Sequence, residues 1–504
     1  MQIINIQHTL RPELPHIFCN IDYKNFRETL IKIDEILRKG RLEDKLIEAA
    51  IDKWMISAGE DASDVMNTAS YPKLWKQFQF ALRCNIGRAL TGKSFRKFSV
   101  HLSDSVLFQW FTNIHYFTGK KSISKSSVER FSKMFDDNVI AETLCQWQAD
   151  ALTDTEQTTV IGLEAPISFA DNFLDSTCIK ANIHFPVDWV LLRDAVRSLL
   201  LAIKTIRVQG LKHRMMDPAD FLKLINKLCI AMTHTRRKKD SKRQRKLILR
   251  KIKKLSMIIA KHGERYRELL LNNWSKTDWS EKQANQVIKR IDNILNQLPA
   301  AIKQAHERII GERKISSEEK ILSLYEKDVH VLVRGKAGAE VEFGNGLLLA
   351  EQQNGIIVDW QLFKDQPKAD SRTFKPLMER IQKCYGEIDS STGDRGFDSK
   401  LNRDFLKEQN IYNGLCPRSP QELQSRTNEP RFLELQKRRS QTEGRIGIFK
   451  NVFLGKPLRS KGFLNKQLNV TWCVLTHNLW VIARMALADE QSEHKKNKRS
   501  KKAA

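Results

Sequence analysis

VHVLVRGKAGAEVEFGNGLLLAEQQNGIIVDWQLF, residues 329–363, decides what kind of fold this chain can build. Val329, Val331 and Val333 alternate, and two further apolar runs follow behind turns that carry glycine. Alternation of this kind is the period of a strand with one buried face, so the segment reads as an antiparallel meander. Upstream, SFADNFLDSTCIKANIHFP (168–186) is rich in β-branched and aromatic residues and ends at Pro186, and it reads as two short strands. Between these strand regions, from about 188 to 320, apolar residues recur at helical spacing, with Asp188 placed to cap the first helix. The expected sheet is therefore split by helices.

Downstream, the pattern gives a helix over about 371–384 and a short strand running to Asp394. A helix over 398–409 with Asp398 as N-cap follows, then a short strand around Ile411 to Cys416, and helices around 431–451 and 463–488. Residues 22–150 read as helical, with Phe26, Leu30, Ile33, Ile36 and Leu37 on one stripe. The tail HKKNKRSKK is expected to be disordered. The resulting domain plan is a helical N-terminal domain at 1–150, a core made of 166–187 and 321–488, a helical insertion at 188–320, and a tail at 489–504. The fold class is α+β or α/β.

The 504 residues include 86 Lys and Arg against 59 Asp and Glu, a net charge of +27 that attracts polyanions. Double-stranded DNA is the first partner to consider. A membrane is disfavoured, because the most apolar late segment, 470–488, is interrupted by His477, Asn478 and Arg484. The first residues have neither the basic start nor the apolar centre of a signal peptide, which points to the cytoplasm, at the nucleoid if the partner is DNA. Eight cysteines without a C-x-x-C pair read as reduced, mostly buried thiols. The glycines of RGKAGAE and GNG do not match a phosphate loop, so no nucleotide cofactor is implied.

Two regions are candidate DNA contacts. DSVLFQWFTNI (104–114), the basic loop GKKSISKSS and VERFSKMF form either a helix-turn-helix-like reader or plain helical packing. RRKKDSKRQRKLILRKIKK (236–254), which opens on Arg236, Arg237, Lys238 and Lys239, carries twelve basic residues against Asp240. It is either a solvated helix face or a surface that tracks phosphates.

Three acids stand out by context: Asp175 at a strand end in LDST, Asp394 at a strand end in STGDRGFDSK (391–400), and Glu443 on a helix. Asp171 competes with Asp175, being on the same strand face. Arg439, Glu443 and Lys450, spaced by four and seven residues, share one helix face. Taken alone they are no more than an exposed cation–carboxylate pair with a further cation. With the two aspartates they offer oxygen ligands to hard cations, which take few carboxylates and keep waters.

DNFLDSTCIKANIHFPVDWVLL, the 325–363 segment, TGDRGFDS and EGRIGIFK, in this order, closely resemble the DDE transposases of bacterial insertion sequences. The spacing R-x3-E-x6-K at Arg439, Glu443 and Lys450 resembles that family's signature. The resemblance implies a ribonuclease-H-like mixed-sheet core, interrupted here by the basic helical insertion, in which Asp175, Asp394 and Glu443 bind two Mg²⁺ or Mn²⁺ ions. It implies that Arg439 and Lys450 hold transposon-end phosphates, and that a homodimer assembles on terminal inverted repeats and target DNA. The signature usually carries a tyrosine where this sequence has Gln436. Only 49 residues separate Asp394 from Glu443, while 219 separate Asp175 from Asp394, so the family's insertion would be moved to the earlier gap. The rival readings are a DNA-binding regulator that has lost catalysis and a structure-selective nuclease.

Overall fold

A computed structural model describes residues 14, 18, 20–58, 71–114, 123–235, 239–336 and 339–503. The chain divides into two compact units, the first made of Met1–Ile179, Gly346–Phe363 and Pro367–Ala504, the second of Lys180–Asn345 and Lys364–Gln366. Among the described residues six strands are present, with mixed pairing, in an α+β fold.

The first unit begins with helices α1 (Ile21–Lys39), α2 (Leu42–Ala58), α3 (Tyr71–Leu90), α4 (Phe95–Asp104), α5 (Val106–Phe111), α6 (Lys125–Phe131), α7 (Asp137–Ala151) and α8 (Thr155–Val160). The α1 stripe is buried as its spacing requires, with Leu30, Ile33, Ile36 and Leu37 at 1 % exposure or less. These helices do not form a compact unit of their own, since they share one apolar core with the strands that follow. Inside that core Arg83 is fully buried, donating through Nε and Nη2 to Glu43 at 2.6 and 2.8 Å, and through Nη1 to Asp34 and the Phe111 carbonyl at 2.5 and 2.8 Å. Of the proposed helix-turn-helix, α5 and α6 are short, with Leu107, Phe108, Phe111 and Val128 turned inward; residues 115–122 of its loop lie outside the described residues.

Strand β1 (Asp171–Lys180) is one continuous strand where two short ones were expected, because nothing between Asp171 and Lys180 breaks its β-branched and aromatic run. Strand β3 (Ala339–Gln352) turns at Gly355 into antiparallel β4 (Ile357–Leu362), with Leu347 opposite Leu362. Gly355 has φ +91° and lies under the Arg445 guanidinium, so a side chain there is excluded twice. Helix α13 (Asp370–Tyr385) leads to β5 (Ser390–Thr392), α14 (Lys400–Glu408) to β6 (Tyr412–Asn413), and α15 (Pro420–Arg426) to α16 (Pro430–Ile448). A π-helical turn, Phe449–Leu454, ends α16. Within this unit the strand order is β4–β3–β1–β5–β6, with β1–β5 and β5–β6 parallel.

Helix α17 runs Phe463–Ala503, so helical backbone continues through the stretch expected to be a disordered tail; that stretch holds strong helix formers and neither Gly nor Pro. Its window Phe463–Ser492 is long and apolar enough to cross a bilayer, but 72 % of it is buried within the fold, as suits a core helix. The polar interruptions have partners there. Asn478 accepts from the Ile357 N–H at 3.0 Å and donates to the Ile357 carbonyl at 2.7 Å, fixing the helix to β4. Burial beside Phe449, Phe453 and Trp480 pushes the His477 pKa down to about 4, against an ordinary 6.5. The unfolded chain therefore takes up this proton first as pH falls, and stability present above pH 6.5 is lost down to about pH 4. Between pH 7 and pH 5 the loss from His477 is about 2 kcal/mol. In urea unfolding at the two pH values, the wild type is expected to lose that much more stability than His477→Gln; equal losses would contradict it.

Cys145 of α7 and Cys384 of α13 are bonded, with Cα atoms 6.3 Å apart, against the expectation of reduced thiols. The pair is 239 residues apart in sequence, and no spacing motif announces it. Cys84, Cys178, Cys229 and Cys473 are buried, as expected of small hydrophobes.

The second unit holds α9 (Asp188–Val208), α10 (Pro218–Thr235), α11 (Ser241–Asn273) and α12 (Glu281–Ile309) around a core that includes Leu199, Ile203, Ile252, Ile259, Ile291 and Leu298. Strand β2 (His330–Lys336) pairs antiparallel with the first half of β3, His330 opposite Gly344. Asp188 does not cap α9. Its carboxylate accepts two hydrogen bonds from Arg308 at 2.8 Å and one from Gln304 at 3.0 Å, so a tertiary partner outcompetes the local one.

Candidate active site

Along β1 successive side chains alternate faces, so Asp171, Phe173, Asp175 and Thr177 point the same way. The parallel register sets Asp171 opposite Ser390 and Phe173 opposite Thr392. The ladder ends there; continued by two residues, the same register would set Asp394, just beyond β5, across from Asp175. Both aspartates are half-buried. Asp175 Oδ1 accepts from the Ser176 N–H and Asp394 Oδ1 from the Gly396 N–H, each at 2.8 Å. Asp171, the competitor, is two periods of alternation behind and accepts from the Ser390 hydroxyl at the far end of the pairing.

The glycines flanking Asp394 do not have positive φ, so a left-handed turn is not what they provide. They permit close approach. A Cβ at Gly393 would come within 2.9 Å of the Phe397 ring, and one at Gly396 within 2.8 Å of Asp370 Oδ2 and 3.0 Å of Asp394 Oδ1. Asp370 thus reaches the same glycine as Asp394, and its Oδ2 also accepts from the Ser176 hydroxyl at 3.1 Å. Sequence reasoning missed this third aspartate, because an acid in the first turn of a helix looks like an ordinary dipole partner. Asp398 is not the cap of α14. Ser399 is, while Asp398 is buried and accepts from the Arg418 N–H at 3.1 Å.

Helix α16 is fixed over this strand pair from both flanks. On one flank, Arg438 donates to Glu351 and to the Gln352 carbonyl at 2.9 Å and to the Gln353 carbonyl at 2.7 Å, with Thr442 also on Glu351 at 2.8 Å. Burial lowers the Arg438 pKa, and Glu351 opposes that shift. On the other flank, Gln436 donates to the Gly414 carbonyl at 2.7 Å. The guanidinium of Arg438 lies 4.4 Å from the centre of the Phe173 ring, and Lys450 Nζ donates to Thr177 Oγ1 at 2.9 Å. Arg438 of the helix and Lys450 of the π-helical turn that follows it thus meet β1 at Phe173 and Thr177, on either side of Asp175 in sequence. By helical rotation Glu443 sits on the Gln436 flank, the side of β5 and Asp394.

Arg439 and Lys450 are half-buried, and Glu443 is exposed. Arg439 Nε donates to Gln436 Oε1 at 3.0 Å, so the glutamine that stands where the signature carries tyrosine orients the arginine. Among the described residues no group of three or more His, Cys, Asp or Glu side chains lies close enough together to hold a metal ion. The structure thus sets Asp394 and Asp370 against the same glycine, with Asp370 bonded to the neighbour of Asp175, and leaves the Glu443 carboxylate outside a closed cluster. The donor set itself, carboxylates without thiolate or imidazole, is what hard divalent cations take.

Of the basic run, Arg236, Arg237 and Lys238 lie outside the described residues, and Lys239 is exposed. On α11, Lys242 and Lys246 pair with Glu312 at 3.2 and 2.8 Å. Arg243, Arg250 and Lys254 are exposed along one face, at helical spacings of seven and four.

Carboxylates at or beyond the ends of parallel strands, near a helix that carries Arg439 and Glu443, are groups of the kind that phosphoryl transfer uses. Residues 345–479 match the family model of the transposase DDE domain, a stretch that holds Asp394, Arg439, Glu443 and Lys450 and excludes Asp175. The chain carries a DDE transposase domain, of a class of nucleic-acid-processing enzymes that serve transposition and DNA recombination. No curated protein and no solved structure matches it.

Proposed function

We propose that the protein cuts DNA at the inverted-repeat ends of a mobile element and joins the freed ends to target DNA, working in a ribonuclease-H-like core. What supports this reading is the match of residues 345–479 to the transposase DDE domain, together with the parallel β1–β5 register, which continued by two residues would face Asp175 with Asp394. DDE transposases generally use divalent cations. Asp175, Asp394 and Glu443 would hold two of them, Mg²⁺ or Mn²⁺, which when bound activate the attacking oxygen and stabilise the leaving one. Asp370 is placed to steady this pair through Ser176 and Gly396.

The chemistry is two in-line displacements at phosphorus. Water first displaces the 3′-oxygen at the element's end, and the resulting 3′-hydroxyl then displaces a 3′-oxygen in the target. Lys450, held by Thr177, and Arg439, held by Gln436, grip non-bridging phosphate oxygens so that the scissile bond lies over Asp175 and Asp394. The direct test is cleavage of a plasmid bearing the DNA that flanks this gene, with Mg²⁺ or Mn²⁺. Cuts confined to terminal inverted repeats support the reading, and cuts set by DNA structure alone would favour a nuclease.

Arg439→Ala and Lys450→Ala are each expected to lower end cleavage roughly 100-fold, the cost of a misplaced scissile bond. Melting temperatures should stay near wild type, since single surface hydrogen bonds contribute little. Near-normal cleavage with a lowered melting temperature would make the stripe purely structural. The exposed face of α11 is assigned to phosphate contacts that ignore sequence. Replacing Arg243, Arg250 and Lys254 with alanine should weaken binding to all duplexes alike and reduce the slope of log affinity against log salt by about 3. An unchanged slope would leave that face as solvated surface. A homodimer on paired ends and a place at the nucleoid are the assembly and location this activity asks for.

A further inference from the structure

Arg88, in the last turn of α3, is 9 % exposed, and among the described residues it has no carboxylate partner. One Nη donates to Asn469 Oδ1 at 2.6 Å, the guanidinium lies 4.9 Å from the centre of the Phe95 ring, and Nε has no hydrogen-bond partner. Burial lowers its pKa, yet arginine remains a cation at every pH at which the fold survives. A buried cation without a counter-charge is costly, and an anion delivered to it offsets that cost.

The side chain faces a cavity of about 300 Å³ whose other charged walls are Lys125, Glu129, Lys133, Arg459 and Lys461. Lys125 and Glu129 pair with each other at 3.1 Å. That leaves Arg88, Lys133, Arg459 and Lys461 around the space, in excess over Glu129, the single carboxylate among the described lining residues. These cations come from α3, the chain after α6 and the loop before α17, so the fold assembles them; they are not a run in sequence. Asn469 and Trp472 complete the inner wall, and the Trp472 indole is engaged with the Ser132 carbonyl at 3.2 Å. Four cations around a small space, one of them a buried guanidinium with a free donor, suit a tetrahedral oxyanion of more than single charge better than a carboxylate.

We propose that this cavity is a phosphate-binding site, distinct from the candidate active site, that takes a phosphate group borne by a DNA backbone or free in solution. The proposal does not depend on the catalytic reading, because its test involves no cleavage. The full-length protein, the exposed-residue double variant Lys133→Ala/Lys461→Ala, and Arg88→Gln are melted in inorganic phosphate and in sodium chloride of equal ionic strength. Their affinity for a duplex without inverted repeats is measured over a range of salt. Phosphate is expected to raise the wild-type melting temperature by several degrees beyond chloride and to do less for either variant. If the double variant also loses about 2 from the salt slope, the natural ligand is a backbone phosphate. Protection by phosphate with an unchanged slope assigns the site to a free phosphate or small phosphate ester. Absence of phosphate-specific protection in the wild type overturns the proposal, even if the slope changes, because the lysines would then be surface charge without a built pocket. Should Arg88→Gln fail to fold, the double variant alone decides, as both its positions are exposed.

Discussion

Asp394→Ala is expected to lower metal-dependent end cleavage by about three orders of magnitude, because losing one ligand removes several kcal/mol of charge stabilisation from the displacement. Asp175→Ala should match it. Neither substitution opens a core cavity, since both side chains are half-buried, so melting temperature and end binding should stay close to wild type. Asp171→Ala is the informative control. Its carboxylate is taken by the Ser390 hydroxyl away from Asp394, and cleavage should survive its loss. A dead Asp171→Ala beside an active Asp175→Ala would move the first ligand four residues back and undo the register argument.

The second large effect is on stability and lies far from any chemistry. Arg83→Met removes the guanidinium that satisfies Glu43 and Asp34 and leaves two carboxylates facing each other in a dry core. Breaking a buried ion pair from one side costs about 3–5 kcal/mol, whereas replacing every partner with apolar groups of similar size is often neutral. Chemical denaturation should therefore show Arg83→Met strongly destabilised, and the triple variant Arg83→Met/Asp34→Leu/Glu43→Leu largely recovered; Asp34 also pairs with Arg38, so recovery should fall short of complete. An Arg83→Met protein as stable as wild type would mean that the cluster is not sealed from water.

The strands of 329–363 were legible because period-2 alternation survives in any context where one sheet face is buried. The sequence singles out the proposed acids by their local context but carries no trace of their geometry. Asp175 and Asp394 are 219 positions apart, and only the parallel β1–β5 pairing brings their strands side by side. Asp370 could not be singled out, since its position at a helix start has a sufficient local explanation and its closeness to Asp394 is purely tertiary. The same competition misled the reading of Asp188 and Asp398 as helix caps, where Arg308 and the Arg418 backbone claimed them. The bond between Cys145 and Cys384 left no local trace at all, because pairing depends on where two helices meet.

Strand β1 is synthesised long before its neighbours. Its partner β5 begins at Ser390, and the whole four-helix unit is made in between. At ribosomal speeds of roughly 5–20 residues per second, that delay is on the order of ten to forty seconds. Throughout it the nascent chain carries an unpaired strand edge bearing Phe173, Leu174 and Ile179, a template for pairing with other chains. The helical unit has a core of its own and can fold while it emerges, which shortens the effective loop that must later be closed. Translation rate and chaperone supply should thus govern the yield of active protein more than equilibrium stability does.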